Sequence, residues 1–101
     1  MIRVVIPYHL KNLANVKADE VELEVSSSSP PTIGAVLESL EAKYPVLRGT
    51  IRDHGTLKRR PFLRFFACNR DFSLEQYETE LPAEVVEGRE PFIILGGIAG
   101  G

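Results

Sequence analysis

The residues with the clearest chemical potential lie at the end of the chain, where Gly100 and Gly101 follow Ile98 and Ala99. Four of the eight glycines fall within residues 96–101. Glycine has no Cβ, so a tail of this kind can enter a narrow groove and bring its carbonyl close to a nucleophile or a phosphate. A terminal carboxylate, with an ordinary pKa of about 3.3–3.7, is ionised at neutral pH and must be activated before it reacts. We therefore expect Gly101 to present a carboxylate to a partner enzyme.

A glycine-rich end is also compatible with a frayed terminus that has no function. Two features favour function. The apolar segment 92–95 leads directly into the tail, and Ile98 supplies an apolar anchor among the glycines. We expect Phe92, Ile98 and Ala99 to contact partner proteins, and Gly100 to allow close approach to the reacting group.

Other reactive side chains are better explained as structure. Cys68 lies in an apolar segment, and a free cysteine there usually behaves as a small buried hydrophobe, although a nucleophile or persulfide carrier remains the alternative. His9 and His54 are far apart and lack a set of cysteine or carboxylate partners for zinc. We therefore expect no metal site.

The charged residues do not define a second site. The basic residues Lys58, Arg59, Arg60 and Arg64 predict a solvated loop, with docking to an acidic partner as the alternative. A net charge of -2 makes nucleic acid a poor third choice. The carboxylates at positions 38, 41, 75, 78 and 80 are expected on the surface. No phosphate-binding glycine loop precedes a lysine, so the chain itself is expected to bind no cofactor, and ATP is expected to bind the partner.

Length and composition indicate one ordinary globular domain. The 101 residues are 44% hydrophobic and 26% charged, which suffices for one core. There is no apolar run of the roughly 20 residues that span a bilayer, and no secretion signal, so we expect no membrane association. A single cysteine fits a reducing compartment, and the cytoplasm is the expected location.

The tail must be positioned by the elements that precede it. Alternating or continuous apolar residues predict strands at 2–8, 21–25, 62–69 and 92–95, and a short strand at 77–81, with residues 69–71 as a turn and 82–89 as a loop. The three phenylalanines at 62, 65 and 66 are expected in the core. Thr32 can cap a helix along which Ile33, Val36, Leu37, Leu40 and Tyr44 recur, and Pro45 ends it. Leu47 and Ile51 are expected to anchor the segment after the helix.

These elements predict an α+β fold with one principal helix covering a mixed sheet of about five strands. The domain is expected to span residues 1–95, and residues 96–101 are expected to form an extended, flexible, glycine-rich C-terminal tail.

The sequence resembles the ubiquitin-like sulfur carriers, the MoaD/ThiS type that includes the small subunit of molybdopterin synthase and the thiamine-pathway carrier. Three stretches carry the resemblance: TIGAVL and LEAKYP at 32–37 and 40–45, FFACN at 65–69, and the segment from EGRE at 87–90 to AGG at 99–101. Gly96 and Gly97 stand where the molybdopterin-type tail tends to have prolines. The longer middle, residues 50–61, resembles carriers outside the thiamine branch, including those that serve cysteine synthesis.

The resemblance implies a ubiquitin-like β-grasp fold and a covalent cosubstrate more than an enzyme. The small subunit of a synthase complex is one form that such a cosubstrate takes. It implies that a ubiquitin-activating-like adenylyltransferase joins the carboxylate of Gly101 to AMP, that a thiocarboxylate then forms there, and that a synthase accepts the sulfur. Molybdopterin is the first acceptor it suggests, with cysteine, thiamine and thiolated tRNA as alternatives. A ubiquitin-like module that only binds partners, or one that is conjugated to protein lysines, remains open.

Overall fold

The computed structural model describes residues 1–26 and 29–96. Within these ranges the elements are β1 (Ile2–Val5), α1 (Tyr8–Leu13), β2 (Val21–Leu23), α2 (Ile33–Lys43), β3 (Leu63–Ala67), β4 (Arg70–Asp71), α3 (Ala83–Val86) and β5 (Phe92–Gly96). A 3-10 turn, Pro45–Leu47, follows α2. Among the described residues, no helix combines the length and the apolar character needed to cross a bilayer.

The five strands form one mixed sheet in the order β2-β1-β5-β3-β4. The first and last strands of the chain lie side by side at its centre and run parallel, with Val4 opposite Phe92. All other neighbours are antiparallel. The sheet and α2 share one hydrophobic core, to which α2 contributes Ile33, Val36, Leu37 and Leu40. This is the α+β arrangement that the sequence predicts.

The principal helix begins and ends as predicted. Thr32 is its N-cap, and the Thr32 hydroxyl accepts a hydrogen bond of 3.2 Å from the backbone N–H of Ala35. Tyr44 ends the helix, and Pro45 begins the 3-10 turn, because proline has no N–H to continue the helical ladder. Leu47 and Ile51 are fully buried beyond it, as expected.

The predicted strand at 77–81 is wrong, because the backbone of this segment caps α2. The N–H groups of Ile33 and Gly34 donate to the carbonyls of Thr79 and Tyr77, at 3.0 and 2.9 Å. These are two of the helix donors that have no partner within the helix itself. A Cβ on Gly34 would lie 3.0 Å from Cβ of Tyr77, so glycine permits this close approach. The single pairing described in the segment is an isolated bridge from Glu80 to Thr32.

Three other expectations are corrected by short elements. Residues 69–71 are not all turn: Cys68 and Asn69, with φ of 51° and 62°, form the two-residue loop of a hairpin, and Arg70–Asp71 is β4. This loop has the left-handed backbone of a type I′ turn. The segment 82–89, predicted as a loop, contains α3. The strand predicted at 2–8 ends at Val5, and α1 begins at Tyr8, directly after Pro7. The extra helices are only four and six residues long, which is too short for a clear helical period.

A buried ion pair fixes the segment between α2 and β3. Glu41 was expected to face water, but only 8% of it is exposed, and it accepts two hydrogen bonds from Arg52 at 2.7 and 2.9 Å. These hydrogen bonds raise the pKa of Arg52 against the opposing effect of burial. The Arg52 guanidinium also lies 5.5 Å from the centre of the Tyr77 ring. The pair therefore ties α2, the connecting segment and the capping loop together.

We predict that Glu41→Leu and Arg52→Met each lower the free energy of unfolding by about 3 kcal/mol, because each leaves one buried charge without its partner. The double variant should lose less than either single variant, since both charges are then gone. Urea unfolding followed by circular dichroism measures all three. Glu87→Ala, which breaks the exposed pair with Arg89, is the control and should cost less than about 1 kcal/mol. Additive losses in the double variant would contradict the coupling.

Candidate functional site

The tail residues on which the chemistry was predicted lie outside the described residues. These are Gly100 and Gly101, expected at the reacting end, and Ile98 and Ala99, expected at a partner interface. Their assignments stay predictions. The structure instead defines the surface from which the tail departs, because Gly96 is the last described residue.

Gly96 was expected to begin the tail, and it is the last residue of β5. It pairs with Leu63 of β3 in the antiparallel ladder. Since β5 lies at the centre of the sheet, with β1 on one side and β3 on the other, the tail begins at the centre of one sheet end. Gly96, the last described residue, therefore belongs to the most interior strand of the sheet.

Phe92 is a core residue, so the expectation that its side chain contacts a partner is wrong. It is fully buried, and its ring centre lies 5.6 Å from that of Phe65. The parallel register places Phe92 opposite Val4, which is also fully buried. The inner face of β5 is therefore occupied by the core.

The outward residues of the same strand are the ones that a partner can reach. Ile93 lies between Val5 of β1 and Phe66 of β3, and all three are partly exposed. Leu95, two residues on, is 47% exposed. We call these four residues, Val5, Phe66, Ile93 and Leu95, the outer strip. It is an apolar surface across three strands that ends one residue before Gly96.

Charged side chains border the outer strip. Arg64 lies opposite Leu95 in the β3–β5 ladder and is within 3.5 Å of Asp71. Hydrogen bonds donated by the Ser73 side chain and backbone, with help from Arg64 and Arg59, lower the pKa of the Asp71 carboxyl and keep it ionised. Phe62, expected in the core, is 55% exposed just before β3. An apolar centre with a charged rim is the usual composition of a protein interface.

The basic run is partly structural and not simply a solvated loop. The Arg59 guanidinium donates to the backbone carbonyls of Ser73 and Leu63, at 2.8 and 2.6 Å. Arg60 donates to the carbonyl of Gly49 at 2.8 Å. These contacts hold the segment before β3 in place, so the guanidinium groups of Arg59 and Arg60 are already engaged.

Cys68 is not in a strand but in the hairpin turn, where it is half buried against the core. Partial desolvation, with the nearby carboxylates of Glu84 and Glu90, raises the pKa of its thiol. The thiolate is the nucleophilic form of cysteine, so a raised pKa works against a persulfide role at neutral pH.

The two histidines lie in different parts of the structure. The ring of His54 lies over Gly49, and His9 lies beside Gly96. Across residues 1–26 and 29–96, no three histidine, cysteine, aspartate or glutamate side chains form a group that could hold a metal ion. Of the other predicted surface carboxylates, Glu38, Glu75, Glu78 and Glu80 are exposed.

The strand order and the single long helix define the ubiquitin-like β-grasp, and comparison with solved structures shows the same fold. A chain of the BexX/CysO complex of Amycolatopsis orientalis matches with a TM-score of 0.73 at 18% identity, over 100% of both chains. Mycobacterium tuberculosis CysO matches with a TM-score of 0.73 at 21% identity, over 97% of this chain and 100% of that one.

Small archaeal modifier protein 1 of Methanosarcina acetivorans matches with a TM-score of 0.68 at 24% identity, over 98% of this chain and 94% of that one. Protein-family models and curated protein sequences give no significant match. The β-grasp fold expected from the sequence is thus confirmed.

We predict that truncating an inward residue of β5 costs much more stability than truncating an outward one. Phe92→Ala should lower the free energy of unfolding by about 3–5 kcal/mol, because it opens a cavity beside Phe65. Leu95→Ala should cost less than about 1 kcal/mol, because about half of Leu95 is already exposed to water. Chemical denaturation of both variants measures the difference. Equal losses would contradict the assignment of inner and outer faces.

Proposed function

We propose that the chain is a sulfur carrier, and that the carboxylate of Gly101 becomes a thiocarboxylate. The observation that supports this most is the match over the whole chain to CysO structures, together with a central strand that ends in the glycine-rich tail. The outer strip includes Ile93 and Leu95 of that strand, so a partner docked on it would be close to the start of the tail.

The proposed chemistry needs two steps at one carboxyl group. The Gly101 carboxylate attacks the α-phosphorus of ATP, and pyrophosphate leaves, which gives an acyl adenylate. Hydrosulfide then attacks the acyl carbon, the bond to the AMP oxygen breaks, and AMP and a proton leave. The products are the thiocarboxylate and AMP, and no oxidant or reductant is needed. The chain is consumed and regenerated as a cosubstrate, while the partner binds ATP. Use of ATP fits a cytoplasmic protein.

The residues next to the reacting carbon have separate proposed roles. Gly100 keeps the approach to Gly101 open, because a Cβ at that position would limit how closely an enzyme could surround the carbonyl. Ile98 and Ala99 contact the partner within its groove. The outer strip takes the docking role that Phe92 was expected to have.

The proposed acceptor of the sulfur is a molybdopterin precursor, which the sequence resemblance favours, with a sulfur-accepting synthase as the second partner. Acceptors used in cysteine synthesis are the next choice, because residues 50–61 resemble the carriers that serve it. The solved structures that match this chain include small archaeal modifier protein 1. A protein modifier is joined to other proteins, so conjugation of Gly101 to protein lysines is a second candidate function. Both functions begin with the same adenylate.

We predict that incubation with a ubiquitin-activating-like adenylyltransferase from the same organism, MgATP and sodium sulfide increases the intact mass by the replacement of one oxygen by sulfur. Fragmentation should place the change at Gly101. The control is the chain without Gly100 and Gly101, which should stay folded, because the core lies within residues 2–94, and should show no change. Unchanged mass in the full chain, with the enzyme active on another carrier, would contradict the proposal. Higher-mass adducts on lysines would favour conjugation.

We predict that Leu95→Asp raises the KM for this chain in the adenylation reaction about tenfold or more. The reason is that the aspartate places a charge in the apolar contact with the enzyme. The kcat should change little, since the tail itself is intact. Lys17→Asp, a charge change at an exposed position outside the outer strip, is the control and should leave KM unchanged. Pyrophosphate release measures both constants. An unchanged KM for Leu95→Asp would exclude the outer strip as the docking surface.

A further inference from the structure

The start of the tail has an unusual neighbour on the inner side of the sheet. A Cβ built on Gly96 would lie 2.7 Å from Cε1 of His9, and 3.1 Å from Cβ of Pro7. Real Cβ atoms do not approach other atoms as closely as the first distance. His9 and Pro7 therefore occupy the space that any side chain at position 96 would need.

The strand register explains why this space is available to His9. Phe92 and Ile94 point into the core while Ile93 and Leu95 point outward, so the missing side chain of Gly96 would point inward. On the β3 side Gly96 is paired with Leu63. On the other side β1 ends at Val5, and the chain turns through Pro7 into α1. His9 thus lies beside Gly96, at the end of β5 that extends beyond the last residue of β1.

The contact involves a side chain that lies outside the buried core. His9 is exposed, and its ring is the end of a flexible side chain, in contrast to the buried Leu10 beside it. The His9 ring therefore lies against the last residue of β5 and contributes little to the buried core.

We propose that His9 is a positioning residue, which packs against Gly96 and fixes the direction in which the tail leaves the domain. This inference rests on the proposed function. His9 and Pro7 limit the space on the inner side of Gly96, and the outer strip lies on the opposite face of the sheet. An enzyme docked on that strip then receives Gly101 from a fixed origin. Because misplacement of a reacting group by about 1 Å can cost up to about 100-fold in rate, a loose origin lowers the rate of the chemical step.

Docking and positioning make different kinetic predictions. His9→Ala should lower the kcat of adenylation about tenfold, because fewer bound tails reach the α-phosphorus of ATP. Its KM should stay within about twofold, because the outer strip is untouched. This is the opposite of the pattern expected for Leu95→Asp. His9→Phe should keep most of the kcat, because a flat ring can fill the same space. Asn12→Ala, at an exposed position on the same helix, is the control and should change neither constant.

A direct measurement needs no enzyme. In ¹H–¹⁵N spectra, His9→Ala should shift the Gly96 amide signal and lower its heteronuclear NOE, while His9→Phe and Asn12→Ala keep the NOE of the wild-type chain. Gly96→Ala should displace the His9 ring and lower kcat. The variant with both Gly96→Ala and His9→Ala should recover part of that kcat, because the new methyl group then avoids the shortest contact, with His9, and meets only Pro7.

The outcomes separate the two proposals. If His9→Ala leaves the Gly96 signal or kcat unchanged, the positioning role is wrong. If His9→Phe is as slow as His9→Ala, packing of a ring is not the cause, and the inference is also wrong. If the wild-type chain is never adenylated by an enzyme that activates another carrier, the proposed function fails, and the positioning role in adenylation fails with it. The Gly96 amide signals then still decide whether His9 holds the end of β5.

Discussion

The parallel pairing of β1 and β5 is the constraint on which the rest of the structure depends. Parallel neighbours cannot be joined by a tight turn, so every other element must lie within the connection between them. α2 covers the inner face of the sheet, and β2 and β3 complete it on either side. The same pairing puts β5 at the centre. Its inner residues therefore belong to the core, and its outer residues form an apolar surface beside Gly96.

A second constraint acts on the long segment between α2 and β3. This segment has little regular structure, yet it is fixed by the ion pair of Arg52 with Glu41 and by the bonds from Arg59 and Arg60 to backbone carbonyls. Hydrogen bonds from arginine to carbonyl groups replace the ladder that a strand would supply. The Tyr77 hydroxyl, which donates to the carbonyl of Leu57 at 2.6 Å, joins this segment to the loop that caps α2.

Local sequence patterns were sufficient for the principal elements. The cap at Thr32, the stop at Pro45 and four strands follow from residue types and periodicity, and their order predicts an α+β fold that the family resemblance narrows to the β-grasp. The segment 77–81 could not be predicted, because its carbonyls are satisfied by the N-terminus of α2, which only the folded chain brings near. Likewise, Glu41 looks like a surface residue until Arg52 is placed beside it. At 92–95 four apolar residues in succession give no alternation, so the sequence alone cannot say which of them face inward.

The position of β5 also affects when this strand becomes paired during folding. Its partner β1 is at the opposite end of the chain, and contacts between such distant residues close late, because the loop entropy must be overcome first. β5 is also the last of these strands to leave the ribosome. An incomplete or misfolded chain has no paired β5, and hence neither the outer strip nor the contact between Gly96 and His9. A partner that recognises this region would therefore bind only a chain whose domain has finished folding.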